Sequence, residues 1–294
     1  MEFMEGKKSL PLTYDPFFKK IFNPDIYPER LSRLISSIIG TNVTVKYILS
    51  NEYSMLPSTS LLLLDIIVQL EDGSIANVEI QKNPYTFPGE RMSCYSADLL
   101  LRQYTRVKSK LGKDFTYKDM RTVYTIVMYE KSPNECLKDR FANIYLHHGK
   151  TIFDTDVNLN LLQEYYIVNL DVFKNSKYAK DINELNAWLS LLTTDSTDNL
   201  ATLISNYPWM ESICQDISEY LYRPEEVISM FSKALKKMDE NTVNFMIEQM
   251  KKALEGKDAA LSEKDAALSE KDAALSEKDA EIATLQAKLA ALEH

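Results

Sequence analysis

The chain has 294 residues, of which 45 % are hydrophobic and 26 % charged, and its formal net charge at pH 7 is −9. A chain of this length can bury a sizeable core in one main domain with appendages. No apolar run approaches the ~20 residues that a membrane-spanning helix needs, and the N-terminal stretch 1–8 is charged where a secretory signal would be apolar. We therefore expect a globular protein without a membrane span.

The cysteines and histidines do not predict a metal centre. Cys94, Cys136 and Cys214 are widely spaced and form no CxxC pair, so we expect no structural zinc site. The same pattern predicts a reducing, cytoplasmic location. His147 and His148 are adjacent, and adjacent residues of a strand point to opposite faces, so the two cannot chelate one ion together.

The first predicted elements are a helical region and a strand. A stripe of apolar residues indicates a helix from Pro28 to Gly40, and Val43 to Tyr53 alternates well enough for a first strand. The stripe consists of Leu31, Leu34, Ile35, Ile38 and Ile39.

A β-hairpin follows, with one strand in the run 61–70, a second from Ile75 to Gln81, and turn-forming residues 71–73 between them. A two-residue loop at 72–73 would mix apolar and polar residues on both faces. A three-residue loop, with Gly73 in the left-handed bulge position, pairs Asp65 with Glu79, position 67 with 77 and position 63 with Gln81. The other face then becomes uniformly apolar, so the pattern favours the three-residue loop.

This register places two carboxylates and an amide side by side on one face. Directly opposed carboxylates repel each other, and a divalent cation such as Mg²⁺, which prefers hard oxygen ligands, removes the conflict. The alternative is a half-exposed hairpin whose acids face water. The geometry alone leaves both interpretations open.

Pro88 begins a long predicted helix that ends near Lys110. We expect Cys94, Ala97, Leu101 and Tyr104 on its buried side. A neighbouring face carries Arg91, Tyr95, Asp98 and Arg102, which either line the site or form ion pairs such as Arg91 with Asp98.

The segment 102–121 is basic, with seven Lys or Arg residues against Asp114 and Asp119. It is either a phosphate-binding surface or a solvated helix end and loop. The phosphate-contact candidates are Arg91, Arg102, Arg106 and Lys108.

Two further strands are predicted, from Thr122 to Tyr129 and from Tyr165 to Leu170, and a helical pattern then runs over 181–254. We expect the helical segment to cover the sheet. Its apolar positions include Leu185, Trp188, Leu189 and Leu192, followed by Ile228, Phe231, Leu235 and Met238.

The tail repeats Lys-Asp-Ala-Ala-Leu-Ser-Glu from residue 257, and an apolar residue recurs every seven positions, as in a left-handed coiled coil. The second seam position holds Lys or Asp over most of the tail, so we expect either weak self-association or a solitary solvated helix. Residues 292–294 resemble the start of an affinity tag.

The hairpin and the N-terminal motif together resemble the PD-(D/E)XK nuclease superfamily, and more closely its branch of recombination-promoting nucleases and transposases. The resemblance rests on Asp65, on Glu79-Ile80-Gln81 where the superfamily has Glu-X-Lys, on the segment 15–22, and on Arg91 and Tyr95, and it covers roughly residues 10–250.

This resemblance implies a restriction-endonuclease-like α/β core with a mixed sheet flanked by helices over 1–180, followed by a helical subdomain over 181–255 and a coiled-coil tail over 256–294. It implies double-stranded DNA as the substrate and Mg²⁺ or Mn²⁺ held by Asp65, Glu79 and the main-chain carbonyl of Ile80. Gln81 would orient water, and Asp15 is an additional acid candidate. The functional link would be to recombination or phage defence.

The rival hypothesis is a catalytically inactive scaffold that keeps the nuclease fold, binds proteins through its acidic surface and assembles through its tail. The acidic charge balance favours the scaffold. The intact set of Asp65, Glu79 and Gln81 favours the enzyme.

Overall fold

A computed structural model describes residues 12–13, 15–49, 66–83, 88–138, 142–155, 157–194 and 197–221, and in the tail residues 257, 261–269, 271 and 278. The chain divides into two compact units, 1–237 and 238–294. Among these described residues, no helix combines the length and apolar character that crossing a membrane requires.

The first unit is built on a mixed sheet of six described strands in the order β1-β2-β3-β4-β6-β5. The first three strands form an antiparallel meander, β3, β4 and β6 run parallel, and β5 pairs antiparallel with β6 at the far edge. The strands are Val45–Ile48 (β1), Ile66–Leu70 (β2), Ile75–Gln81 (β3), Val123–Tyr129 (β4), Leu146–Lys150 (β5) and Gln163–Asn169 (β6).

Helices cover both faces of this sheet, which confirms the predicted α/β core with a mixed sheet. The long helix α3 connects β3 to β4, as a parallel strand pair requires. The helices are Asp15–Ile21 (α1), Pro28–Ile39 (α2), Pro88–Leu111 (α3), Leu170–Asn175 (α4), Glu184–Thr193 (α5), Thr197–Asn206 (α6) and Glu211–Leu221 (α7).

The main hydrophobic core lies on one face of the sheet. Phe17, Leu34, Trp188 and Ile213, from α1, α2, α5 and α7, pack in one cluster with the strand residues on that face, among them Val78. The predicted stripe of α2 is buried, except that Ile39 is partly exposed, and the helix ends at Gly40 in the left-handed conformation. The predicted apolar positions beyond residue 221 lie outside the described residues.

Helix α3 covers the opposite face, but its buried side is not the one we predicted. Cys94, Ala97 and Leu101 are exposed and Tyr104 is only partly buried. The buried residues are Met92, Tyr95, Ser96, Asp98, Leu99 and Gln103. The search for an apolar stripe selected the wrong side because the sheet face under α3 carries polar side chains, which a mixed polar and apolar helix surface can pack against.

The hairpin register is confirmed for the described residues. Ile67 pairs with Asn77, and Ile66 with Val78. The Gly73 amide donates to the Leu70 carbonyl oxygen at 3.0 Å, and Gly73 has φ +91°, the left-handed conformation that the three-residue loop requires. The predicted pairs Asp65–Glu79 and 63–81 lie outside the described residues.

The described part of the tail includes a short helix. Residues 261–269 are helical, and Leu261 and Leu268, seven residues apart, are each 61 % exposed within the single chain.

Candidate active site

The site begins on β3, where alternate side chains face α3. Asn77, Glu79 and Gln81 share this face because successive strand residues point to opposite sides, and Ile80 points into the main core. Glu79 and Gln81 lie at the carboxyl end of β3, beside the end of β4. The strand pattern alone thus brings two of the predicted catalytic residues together.

Glu79 is buried, with 2 % of its surface exposed, and Gln81 is 7 % exposed. The Gln81 side-chain amide donates a short hydrogen bond to Oε1 of Glu79. The alternative in which the hairpin acids face water is therefore wrong for Glu79. A buried carboxylate is unfavourable unless hydrogen bonds, a cation or a metal compensate it.

Tyr129 is a site residue that sequence reasoning missed. It ends β4, pairs with Gln81 and is 2 % exposed. Burial raises the pKa of its phenol well above the usual value, and the charge of Glu79 raises it further. The phenol therefore stays protonated and can donate a hydrogen bond. Its position at the end of the next parallel strand is the signal that could have identified it, because such ends meet at one edge of the sheet.

The first turns of α3 bring Arg91 and Tyr95 to the same neighbourhood. Arg91 Nη2 donates to the Tyr95 hydroxyl at 2.8 Å, and both residues influence the pKa of Tyr129. Arg91 acts on that pKa in the opposite direction to Glu79, because it favours the phenolate. The resemblance to the nuclease family singles out the same two residues.

On α3, Asp98 forms an ion pair with Arg102 and not with Arg91, the partner that the sequence suggested. Asp98 Oδ2 lies 2.5 Å from Arg102 Nη2, and their side chains are 3 % and 12 % exposed. A phosphate that approached Arg102 would have to compete with this carboxylate.

A second polar layer lies deeper, between α3 and the sheet. Asn77 and Thr125 are directly paired on β3 and β4, and both are completely buried. Neither Asn77 side-chain atom has a hydrogen-bond partner among the described residues, and neither has the Thr125 hydroxyl. Each such group costs about 1–3 kcal/mol. Groups of this kind are typical of sites that hold ordered water or a ligand.

The N-terminal segment is tied to the same edge of the sheet. The Thr13 hydroxyl donates to Glu130 Oε2 at 2.7 Å, and the Glu130 amide donates to the Gln81 carbonyl oxygen at 2.8 Å. Asp15 begins α1 two residues after Thr13. Its side chain, and Asp65 as a whole, lie outside the described part of the chain.

The donor chemistry fits a hard cation. Glu79 supplies a buried carboxylate and Gln81 an amide oxygen, and oxygen donors are what Mg²⁺ and Mn²⁺ prefer. Within the described residues, no three or more His, Cys, Asp or Glu side chains cluster as a complete metal site. One of the predicted ligands, Asp65, lies outside the described residues.

The remaining phosphate candidates lie further along α3. Arg106 is partly exposed, and Lys108 is exposed with its ammonium 2.7 Å from the Tyr104 hydroxyl, which raises the lysine pKa. They lie about four to five turns beyond Arg91 along the same helix.

The adjacent histidines lie away from β3. They lie on β5, which is not adjacent to β3. His148 stacks on Tyr166 and pairs with Glu164 at 2.9 Å, whereas burial lowers the pKa of His147.

A mixed sheet that opens with an antiparallel meander, continues into parallel strands and carries Glu-X-Gln on a central strand defines an α/β protein of the nuclease type. The chain belongs to a family described as the PD-(D/E)XK nuclease family transposases, whose model matches residues 12–246. No curated protein and no solved structure shows significant similarity to the chain.

Proposed function

We propose that the protein is a metal-dependent DNA endonuclease whose catalytic residues are Asp65, Glu79 and Gln81. The observation that carries the proposal is the buried carboxylate of Glu79 near the carboxyl end of β3, which accepts a hydrogen bond from Gln81. Such an anion is unfavourable in a purely structural role and is useful where a cation binds.

Further ligands follow from the register. Continuing the observed β2–β3 pairing by one residue would set Asp65 opposite Glu79. The main-chain carbonyl of Ile80 would be a third ligand. Asp15 would add an acid from the start of α1, because the Thr13–Glu130 hydrogen bond holds that segment near the end of β4.

When bound, Mg²⁺ or Mn²⁺ would polarise the scissile phosphate and lower the pKa of a water molecule. The protein side chains orient and stabilise the reacting groups. Gln81 can donate a hydrogen bond to the attacking water or accept one from it. It lacks the positive charge that a lysine would bring to this position. The neutral Tyr129 hydroxyl and the Arg91 guanidinium are donors for phosphate oxygens, on which negative charge develops during hydrolysis.

The test is cleavage of supercoiled plasmid at low salt with Mg²⁺, with Mn²⁺ or with EDTA. Glu79→Gln keeps the side-chain volume and an oxygen that can accept from Gln81, so we expect a folded protein with at least about a hundredfold less cleavage. Wild-type cleavage should disappear in EDTA.

The matched control is Glu164→Gln on β6, on the opposite face of the sheet and in contact with His148. It removes a carboxylate from the same sheet and should leave cleavage unchanged. Equal activity of wild type and Glu79→Gln would contradict the proposed site.

The wider role is also a proposal. We propose a nuclease that acts on double-stranded DNA in recombination, mobile-element activity or phage defence, in the cytoplasm. The description of the family as transposases supports the link to mobile elements. The exposed Leu261 and Leu268 support self-association through the tail. We retain the proposed division into a core at 1–180, a helical subdomain at 181–255 and a coiled coil at 256–294.

The rival proposal is the inactive scaffold, which the net charge of −9 favours. A scaffold should show no metal-dependent stabilisation that requires Glu79. The buried polar groups around Asn77 and Thr125 argue for the enzyme, because a scaffold core would be more stable with apolar residues there.

A further inference from the structure

Three aromatic rings form a surface cluster at the end of α3 and in the loop that follows. We name Tyr104, Phe115 and Tyr117 the aromatic platform. The Tyr104 and Tyr117 rings are nearly parallel, at an interplanar angle of 16° and 6.2 Å between centroids. Phe115 contacts both edge-on, at 5.4 and 5.6 Å. Tyr117 is 77 % exposed, so a large ring surface faces solvent.

Hydrogen bonds hold the loop that carries Tyr117 in place. Thr116 and Asp119 form a reciprocal capping box around the turn that carries Tyr117. Arg121 then donates from its guanidinium to the Lys118 carbonyl at 2.7 Å, and its amide donates to the Gln103 side chain on α3 at 2.7 Å. Because the rings are already ordered, stacking a partner on them loses little conformational entropy.

Positive charge surrounds these rings on a chain that is acidic as a whole. The Lys108 ammonium lies 5.0 Å from the centre of the Tyr104 ring. Lys110, Lys113 and Lys118 are exposed in the same segment, 102–121, whose acids are Asp114 and Asp119, and Asp119 is engaged in the capping box. An anionic partner with flat aromatic groups matches this combination of charge and ring surface.

The platform lies at the opposite end of the sheet from the candidate active site. Arg91 is in the first turn of α3 and Tyr104 is thirteen residues further on, which corresponds to about 20 Å along the helix axis. This separation is about six steps of a nucleic-acid duplex, at 3.4 Å per step.

We propose that the aromatic platform binds unpaired nucleotides of the nucleic acid, with bases stacked on Tyr117 and Tyr104 and phosphates near Lys108 and Lys118. The proposal rests on the proposed nuclease function and adds that the substrate presents a single-stranded segment about six nucleotides from the phosphate that Arg91 would contact. Unpaired rather than duplex DNA is favoured because a duplex hides the base faces that aromatic rings stack on.

The experiment measures binding separately from cleavage. The full chain carrying Glu79→Gln is titrated in EDTA against fluorescently labelled 12-nucleotide oligothymidine and against a blunt 12-base-pair duplex, with anisotropy as the readout. We expect tighter binding of the single strand. Tyr117→Ala should weaken single-strand binding about tenfold and Tyr117→Trp should preserve it, because stacking on an aromatic ring contributes roughly 1–3 kcal/mol per base.

The matched control is Tyr47→Ala, which removes another exposed tyrosine, on the edge strand β1. It should leave binding unchanged. Lys118→Gln should weaken binding of both DNA forms and reduce the salt dependence, because it removes a charge and no ring.

Unchanged single-strand binding in Tyr117→Ala would overturn the proposal. Polyglutamate that competes for the site equally well, with the same sensitivity to Tyr117→Ala, would also overturn it and would assign the platform to an acidic protein segment. Because these measurements contain no metal, a failure of the platform is distinct from a failure of the nuclease proposal, which the plasmid assay tests.

Discussion

The side-chain amide of Gln81 donates a hydrogen bond to the carboxylate of Glu79, two residues earlier on the same face of β3. An amide contributes only a dipole to this contact, whereas a lysine at the same position would contribute a full positive charge. The buried charge of Glu79 must therefore be balanced by other groups, such as a bound cation or the guanidinium of Arg91. Substitutions at position 81 should therefore change the cleavage activity directly.

The first prediction concerns the identity of residue 81. Gln81→Leu keeps a similar volume but removes the hydrogen bond to the carboxylate, so we expect at least a tenfold loss of plasmid cleavage, because hydrogen bonds to charged groups contribute about 1.5–3 kcal/mol. Gln81→Lys restores a donor and adds a charge, so it should cleave at least as well as wild type. An equal loss in both variants would show that the amide itself is required.

The second prediction concerns metal binding without cleavage. Mg²⁺ or Mn²⁺ at a hundred times its dissociation constant should stabilise the wild-type protein by about 2.7 kcal/mol, which raises the melting temperature by several degrees. Glu79→Gln should lose this shift, and Glu164→Gln should retain it. Thermal denaturation monitored by circular dichroism is the measurement. An equal metal-induced shift in the Glu79→Gln protein would place the cation elsewhere.

Much of the fold could be predicted because its signals are local. The apolar stripe of α2, the β-rich run of β4 and the turn residues around Gly73 each specify one element. The register of the hairpin followed because a slip by one residue would have put apolar side chains on the polar face. The shared face of Glu79 and Gln81 could be predicted for the same reason, since the register determines which side chains lie together.

Residues that meet through tertiary packing could not be predicted in this way. Tyr129 joins the site because β4 pairs parallel with β3, and the β-rich run of β4 does not reveal which strand lies beside it. The buried side of α3 was predicted wrongly because polar residues such as Asp98 and Gln103 pack against a polar sheet face. A hydrophobic pattern records burial against apolar surroundings and misses burial inside a polar site.

The third prediction concerns the Asp98–Arg102 ion pair. Removing one partner leaves an uncompensated buried charge, so Asp98→Ala should lower the free energy of unfolding by about 3 kcal/mol. Asp98→Leu combined with Arg102→Met removes both charges and should be less destabilising than the single variant. Urea denaturation measures the free energies.

An exposed ion pair provides the control for that comparison. Arg33 and Glu184 are 2.6 Å apart but 43 % and 42 % exposed. Glu184→Gln should change the free energy of unfolding by no more than about 1 kcal/mol, because solvent screens such pairs. A loss of similar size from Asp98→Ala would mean that the α3 pair is solvated in solution.

The fourth prediction concerns assembly through the tail. Leu261 and Leu268 lie seven residues apart on a helix and are exposed in the single chain, so a second helix could bury them. Replacing both with serine should shift the protein toward monomer at micromolar concentration, as measured by sedimentation velocity. Ser262→Ala with Ser269→Ala changes the neighbouring position of each repeat and serves as the control. A wild-type protein that is monomeric throughout would contradict tail-mediated assembly.

The fifth prediction concerns alkaline pH. The folded-state pKa of Tyr129 is raised above its unfolded value of about 10, so its contribution to stability is complete below pH 10 and is lost as pH rises further. Above pH 10, ionisation of this phenol in the unfolded chain should reduce the free energy of unfolding by about 1.4 kcal/mol per pH unit.

Tyr129→Phe should therefore show a smaller decline in the free energy of unfolding between pH 10 and 11, measured by urea denaturation. Tyr117→Phe, at an exposed ring, should decline like wild type. The buried thiols of Cys136 and Cys214, whose pKa values burial also raises, add the same background to every variant. An identical decline in Tyr129→Phe and wild type would mean that the phenol is not buried beside Glu79 in solution.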